Sequence, residues 1–410
     1  MTINLPGSKS IAARALVCRL LGGHDTVLAN LPDCGDTRGM LRLTAAVREA
    51  LLTGKAATAD IGEGGTTLRF GMAACASIPG LDITLIGSPR LMERPHSTLI
   101  DALRSSGADI TPIAEKNALH IIGKELPGGE ISLDGSVSSQ YLSALMLSAP
   151  VWKDTTIFRL SAPVVSIPYI TMTAGVMRAF GAEVNIEETS EGLSVTVNAT
   201  GYAQCARYEV EGDWSGASYF YEAQLLMQAL GLDVPEITMP TLKAPAESLQ
   251  GDSRVAAVFA EASCLLKAKG SGEPFYLNLR DAPDLTPAVA VGLTLAGIPF
   301  RIEGIGHLRH KESDRLSAIT TELGRLGYVV EAEGDSMRYD GRRCGREASP
   351  HIRTYQDHRM AMAFAPARML SDDISILNPE VVEKSFPDYW REMDKVMATA
   401  SYPTLKHTDL

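Results

Sequence analysis

Three stretches of this chain close a helical pattern on a glycine and pass straight into a strand: Leu103-Arg-Ser-Ser-Gly107-Ala, Met177-Arg-Ala-Phe-Gly181-Ala and Leu323-Gly-Arg-Leu-Gly327-Tyr. Glycine suits the left-handed position that ends a helix because it carries no β-carbon to clash there. The first two glycines are 74 residues apart and the second and third 146. Those are one and two periods of about 73 residues, too long for a solenoid and of the size of a repeated compact subdomain. Between helical stretches lie short β-branched runs at 82–86, 193–197 and 329–332, so the class is α/β or α+β. A chain of 410 residues with 45% hydrophobic content fills two cores, and two domains are expected. The loop Val210-Glu211-Gly212-Asp213-Trp214-Ser215, ahead of a helical pattern over 217–230, marks a boundary near 210.

The formal net charge is −11, so cations are a minority, and they recur in compact clusters. Nucleic acid and anionic membrane are poor partners for such a surface. Clustered basic side chains in an acidic protein instead focus a field on one small, multiply anionic ligand. The six cysteines show no Cys-x-x-Cys pair and no histidine-rich companion, which argues against zinc and redox motifs. Cys18, Cys75 and Cys264 lie in apolar stretches where buried thiols are expected. The chain start Met1-Thr-Ile-Asn-Leu-Pro-Gly7 has no basic segment followed by an apolar run, and no segment approaches the roughly 18 uninterrupted apolar residues of a membrane span. A soluble protein of the reducing cytoplasm is the expectation.

Residues 307–316 read His-Leu-Arg-His-Lys-Glu-Ser-Asp-Arg-Leu and lead into an apolar-periodic stretch. Arg309, Lys311 and Arg315 at a helix start, where unpaired N–H groups already favour negative charge, make a receptor for phosphate or carboxylate. Glu312 among these cations reads as a proton carrier. The competing reading is a solvated salt-bridge network. Other helix starts share this character. Pro6-Gly7-Ser8-Lys9-Ser10 precedes an apolar stretch over 11–21, with Arg14 one turn beyond Ser10, and lacks the full P-loop spacing. Gly62-Glu63-Gly64-Gly65-Thr66-Thr67-Leu68-Arg69 lets backbone approach a ligand, or is an ordinary glycine turn. Asp134-Gly-Ser-Val-Ser138-Ser139-Gln140 brings hydroxyls and an amide to a helix start, or is a redundant cap. Asp284, two residues after Ala282 and ahead of Pro287, is a functional carboxylate or only a cap. Asp357-His358-Arg359 and Lys384-Ser385-Phe386-Pro387 are two further polar starts.

Ten segments, in order and spacing, resemble the 5-enolpyruvylshikimate-3-phosphate synthases. They are Leu5-Pro-Gly-Ser-Lys-Ser-Ile-Ala-Ala-Arg14, Pro89-Arg90-Leu-Met-Glu-Arg94-Pro95, Asp134-Gly-Ser-Val-Ser-Ser-Gln140, Ser166-Ile-Pro-Tyr169, Glu211-Gly-Asp-Trp-Ser-Gly-Ala-Ser-Tyr219, Leu249-Gln-Gly-Asp252, Pro283-Asp284, Lys311-Glu-Ser-Asp-Arg315, Asp357-His-Arg359 and Lys384-Ser-Phe-Pro-Asp388. The resemblance spans residue 5 to about residue 390. It implies an α/β (α+β) fold of two similar globular domains, each of three βαβαββ units in an inside-out α/β barrel, with the active site in the interdomain cleft. The first residues return to the C-terminal domain, so the expected division is 8–211 against 1–7 with 212–410.

The implied reaction moves the enolpyruvyl group of phosphoenolpyruvate to the 5-hydroxyl of shikimate 3-phosphate, through a tetrahedral adduct, with no metal or organic cofactor. Glyphosate is the implied competitor of phosphoenolpyruvate, with Gly65 leaving room for it, and a monomer is the simplest state. By resemblance, Lys9, Ser138, Ser139 and Ser166 hold the shikimate phosphate, while Ser10, Arg14, Gln140 and Tyr169 position its ring. Lys9, Arg90, Arg315, Arg359 and Lys384 neutralise phosphoenolpyruvate, whose pocket also takes in Gly65 and Gln140. Lys311 lies near the phosphate and the reacting hydroxyl. Asp284 contacts the 5-hydroxyl and Glu312 transfers a proton at the methylene carbon, which makes Asp284, Glu312, Lys9 and Lys311 the catalytic set. Two positions depart from the pattern: Glu63 stands where the family has asparagine, and His307 does so near the shikimate hydroxyls. Glu63 is expected to pair with a cation such as Arg90 or Arg94, or to be protonated in the complex and donate a hydrogen bond, or else only to cap the helix that starts at Thr66. Two alternatives stay open. The sister UDP-N-acetylglucosamine enolpyruvyl transferases carry a Lys-Asn pair and a mobile-loop cysteine that have no counterpart here. A non-catalytic binding paralogue has no need of both Asp284 and Glu312.

Overall fold

A computed structural model describes residues 1–135, 138–268, 273–311 and 313–399, without the side chain of His310. The chain forms two compact units, Gly7–Glu211 and Met1–Pro6 with Gly212–Leu410. Gly7, grouped with residues 1–6 in the expectation above, packs with the other unit because its backbone lies against Asn30. A β-carbon there would sit 1.9 Å from the Asn30 carbonyl oxygen. Ser8 N–H then donates to the Glu211 carbonyl at 2.7 Å within the same unit.

In Gly7–Glu211, two four-stranded sheets repeat one topology. Strands Ala57–Gly62, Asp82–Gly87, Ala118–Ile122 and Asp109–Ile113 lie side by side in that order, the first pair parallel and the rest antiparallel. Strands Gly129–Asp134, Thr156–Ser161, Gly192–Val197 and Val184–Thr189 do the same. A third, reduced sheet pairs Val27–Ala29 with Arg207–Glu209 in parallel. Alternating burial, as along Asp82–Gly87, shows sheets with one face toward solvent. Helices Lys9–Gly22, Gly65–Ala76, Ser139–Ser148 and Ile167–Ala179 are apolar round most of their circumference and pack on one another inside the sheets.

The other unit repeats the pattern once in full, with strands Phe275–Asn278, Phe300–Glu303, Ser336–Arg343 and Tyr328–Glu333 in that order. His351–Ile352 and Ser375–Ile376 form a parallel pair, and Thr2 bridges Thr238. Its innermost helix, Thr286–Leu295, is buried at every residue. Beside it lie Trp214–Ala229 and His358–Phe364, and the rings of Phe220, Phe386 and Tyr389 meet in tilted and edge-on contacts at the core. Each element agrees with an α/β fold in which sheets enclose helices.

The three signature glycines all take left-handed φ: 93° at Gly107, 80° at Gly181 and 89° at Gly327. Gly231 and Gly297 close helices by the same bonds, each followed by a residue that donates back into the last turn. All six cysteines are free. Cys18 and Cys75 are buried as expected, but Cys264 is exposed. Its helix Val255–Lys267 buries the stripe Val255, Val258, Phe259 and Ala262, and Cys264 falls off that face. Among the described residues no helix is long and apolar enough to cross a membrane.

Candidate active site

In Gly7–Glu211 the opening turns of the four inner helices are joined through their polar side chains. Lys9, the first residue of its helix, places Nζ 3.0 Å from Oδ2 of Asp36. Asp36 also adjoins Gly64, the cap of helix Gly65–Ala76, where a β-carbon would lie 3.2 Å from Oδ1. Arg69, in the second turn of that helix, donates from Nη1 to Oε1 of Gln140, and its guanidinium lies 5.5 Å from the Tyr141 ring centre. Arg14 ties the remaining helices. Its Nε donates to Thr173 Oγ1 at 2.7 Å, Nη1 to the Ser10 carbonyl at 2.7 Å, and Nη2 to Ser143 Oγ at 3.2 Å and the Tyr169 carbonyl at 3.4 Å. Burial pushes the Arg14 pKa down to about 10, so it remains a cation at neutral pH.

Ser138 caps helix Ser139–Ser148, its hydroxyl accepting from the Gln140 N–H at 3.4 Å. Ser166, buried at the cap of helix Ile167–Ala179, has φ 56°, a strained left-handed conformation for a non-glycine residue and one found where ligands are held. A β-carbon on Gly65 would lie 3.0 Å from Nη1 of Arg94 and 3.3 Å from Nη1 of Arg69. Two guanidiniums therefore face this glycine. Arg90 is exposed on the short turn Pro89–Met92. His96 steadies that segment by donating from Nε2 to the Leu91 carbonyl at 2.9 Å, and burial pushes its pKa down to about 4. Helix N-termini, hydroxyls and cations gathered in this way have the chemistry that suits a polyanion.

Glu63 neither pairs with an arginine among the described residues nor caps the helix. It is exposed and has no ion pair among the described residues, and Gly64, not Glu63, caps the following helix. The turn is ordered instead by Asp60, whose Oδ1 accepts from the Gly62 N–H at 2.8 Å, so Glu63 has no packing reason to fold inward.

In the other unit, Asp284 is not a cap: helix Thr286–Leu295 starts without a side-chain bond at its N-terminus. The carboxylate turns to two arginines, Oδ1 accepting from Arg315 Nη1 at 3.0 Å and Oδ2 from Arg359 Nη2 at 2.8 Å. Arg315 is the first residue of helix Arg315–Arg325 and only 1% exposed. Its Nε also donates to Oδ2 of Asp357 at 2.8 Å, and Asp357 caps helix His358–Phe364 through the Arg359 N–H at 3.0 Å. Behind Arg359, buried Asp252 accepts from the Ser215 hydroxyl. Burial, with the negative charge of Asp284 beside it, pushes its pKa up to about 7. The His307 pKa is pushed down to about 4, first by burial and then by the Lys311 cation, and its Nε2 is buried without a hydrogen-bond partner among the described residues. Lys311 is half-buried after the turn Gly306–His310, and Lys384 is half-buried at the end of the turn Pro379–Lys384. Glu312 lies outside the described residues.

Asp36, Arg69, Arg94 and Asp252 were not among the expected site residues. Asp252 lay inside the quoted segment Leu249-Gln-Gly-Asp252 with no spacing that assigned it a partner, and Arg94, in the segment Pro89–Pro95, entered only as a partner for Glu63. Among the described residues no group of three or more His, Cys, Asp or Glu side chains is placed to hold a metal ion.

The family model described as EPSP synthase (3-phosphoshikimate 1-carboxyvinyltransferase) matches residues 1–393. The chain belongs to the EPSP synthase family. A 3-phosphoshikimate 1-carboxyvinyltransferase of Bacteroides fragilis (strain YCH46) is 39% identical over 407 residues, covering 96% of this chain and 94% of its own. The enzyme of that name from Escherichia coli O6:H1 is 34% identical over 423 residues, covering 96% of each. Among solved structures, an EPSP synthase from Acinetobacter baumannii superposes with a TM-score of 0.70 over 97% of this chain and 95% of that one, at 19% identity. The enolpyruvyl transferase NikO from Streptomyces tendae gives 0.64, covering 97% and 94%, at 16% identity. These two likenesses establish the EPSP synthase fold, and the sequence relatives establish the family.

Proposed function

We propose that this chain transfers the enolpyruvyl group of phosphoenolpyruvate to the 5-hydroxyl of shikimate 3-phosphate and releases phosphate. The observation that carries the reading is the Asp284 carboxylate placed against Arg315 and Arg359. A proton acceptor beside a two-cation anion receptor is what adding a hydroxyl to an anionic enol phosphate requires. The hydroxyl oxygen bonds to the phosphate-bearing carbon while its proton leaves to Asp284, and the methylene carbon takes a proton from Glu312. Loss of a proton from the resulting methyl group and of phosphate then restores the double bond. The reaction balances without metal or organic cofactor.

Lys9, Ser138, Ser139 and Ser166 bind the shikimate phosphate, Ser10, Arg14, Gln140 and Tyr169 place the ring, and His307 meets its hydroxyls. Lys9, Gly65, Arg90, Gln140, Arg315, Arg359 and Lys384 receive phosphoenolpyruvate, and Lys311 serves the phosphate that leaves. Glyphosate, with a carboxylate and a phosphonate, competes for the phosphoenolpyruvate subsite. The enzyme works as a monomer in the cytoplasm, and six free thiols support the reducing compartment.

Purified protein mixed with phosphoenolpyruvate and either shikimate 3-phosphate or UDP-N-acetylglucosamine tests this by phosphate release, with and without a chelator. Release with shikimate 3-phosphate alone, unaffected by chelator, is expected. Release with the nucleotide sugar, or with neither, overturns the proposal.

A further inference from the structure

Helix Arg315–Arg325 carries a second carboxylate inside the fold, two turns beyond its arginine. Glu322 is fully buried and reaches the segment that leads into helix His358–Phe364. Its Oε1 accepts from the Tyr355 hydroxyl at 2.6 Å, and its Oε2 from the main-chain N–H of Arg353 at 3.1 Å, with Arg325 Nε 3.4 Å away. The two residues that follow Thr354 are unusual. Tyr355 and Gln356 both have φ 54°, consecutive left-handed conformations in non-glycine residues. Such backbone persists only where its surroundings over-determine it, and it collects at functional sites. Asp357 comes next. It caps its own helix, holds Arg315 at 2.8 Å, and fixes the position of Arg359 two residues on. The contacts thus close a ring. Arg315 leads along its helix to Glu322, across to Tyr355 and Arg353, through the strained residues to Asp357, and back to Arg315.

We propose that Glu322 is a positioning residue for the phosphoenolpyruvate receptor, holding the strained segment 353–356 so that Asp357 and Arg359 meet Arg315 and Asp284. Glu322 does not itself touch Asp284, Arg359 or Asp357 among the described hydrogen bonds, so it acts through the segment it anchors. The proposal rests on the function read above for this site. Without Glu322, the Tyr355 hydroxyl and the Arg353 N–H lose their shared acceptor, the left-handed pair relaxes, and Arg359 loses its register against Asp284. Misplacement of a binding group by about 1 Å is enough to cost up to 100-fold in such sites.

The test uses full-length protein with Glu322→Gln, Tyr355→Phe and Arg353→Ala, each assayed for phosphate release while one substrate is varied at saturating levels of the other. Glu322→Gln and Tyr355→Phe are expected to raise KM for phosphoenolpyruvate on the order of tenfold, with KM for shikimate 3-phosphate changed less than about twofold. Arg353→Ala should behave as wild type, because the donor is its main chain. Amide exchange read by mass spectrometry should quicken over 353–360 in the first two variants and stay unchanged over 9–22. Equal rises in both KM values, or no change in either with unaltered exchange, would overturn the proposal. Tyr355→Phe opens no cavity and decides the matter should Glu322→Gln fail to fold. The exchange measurement needs no turnover, so a wild-type protein that releases no phosphate sinks the functional reading while leaving the anchoring role open to test.

Discussion

Asp284 occupies the guanidinium edge of Arg359 that faces it, with Oδ2 2.8 Å from Nη2, while its other oxygen holds Arg315 at 3.0 Å. An anionic substrate bound by these arginines therefore competes with, or reorders, an internal carboxylate. Asp284→Asn removes the competing charge along with the proton acceptor. It is expected to lower kcat by about 10²- to 10⁴-fold while KM for phosphoenolpyruvate stays level or falls. Steady-state kinetics check this, and an unchanged kcat takes Asp284 out of the mechanism.

Gly65 faces Arg94 and Arg69 across the space a β-carbon would fill. Both neighbours are ends of flexible side chains, so Gly65→Ala should fold with an unchanged melting temperature. The methyl group should displace the Arg94 guanidinium by a few tenths of an ångström and weaken glyphosate more than phosphoenolpyruvate, which lacks the extra bulk. Inhibition curves on both proteins measure the ratio. Equal loss for the two ligands would contradict this placement.

His307 is neutral in the fold, since burial and Lys311 push its pKa down to about 4. It takes up a proton only below that value, so it contributes no charge change at neutral pH. His307→Asn should shift KM for shikimate 3-phosphate and leave the shape of the kcat/KM profile between about pH 6 and 8 as it was. A limb near neutrality that disappears in the variant would show that His307 titrates during turnover.

Glu222 lies in the core against Gly292, fully buried, and neither oxygen has a hydrogen-bond partner among the described residues. Burial raises its pKa well above the ordinary carboxylate value. The folded chain keeps this proton while the unfolded chain gives it up, so stability drains away as pH rises above the ordinary value of 4.5. Glu222→Met should stabilise the protein by about 1–3 kcal/mol at pH 8 and by less at pH 5, as read by thermal melts. A larger gain at pH 5 than at pH 8 would reverse the sign of the argument.

The repeated architecture was legible because a left-handed helix end admits few residues but glycine, and Gly107, Gly181 and Gly327 mark that need directly. Asp284, Arg315 and Arg359 were legible as separate helix starts, but their mutual contact was not, because ion pairs across 31 and 75 residues leave no local pattern. Asp36 and Glu322 failed for the same reason. Each sits inside an otherwise ordinary amphipathic helix, Gly35–Thr53 and Arg315–Arg325, and its meaning depends on which distant donor the fold delivers. Glu63 misled because a neighbourhood rich in arginine invites pairing, whereas the turn set by Asp60 leaves it in solvent.

Phosphorus NMR of the protein with equimolar phosphoenolpyruvate and shikimate 3-phosphate tests the account most directly. The phosphoenolpyruvate signal should convert, mole for mole, to inorganic phosphate, while the shikimate phosphate resonance persists in a new product whose mass has grown by one enolpyruvyl group. Phosphate appearing together with free pyruvate and unmodified shikimate 3-phosphate would contradict it, since the chain would then be a hydrolase that never joins the two substrates.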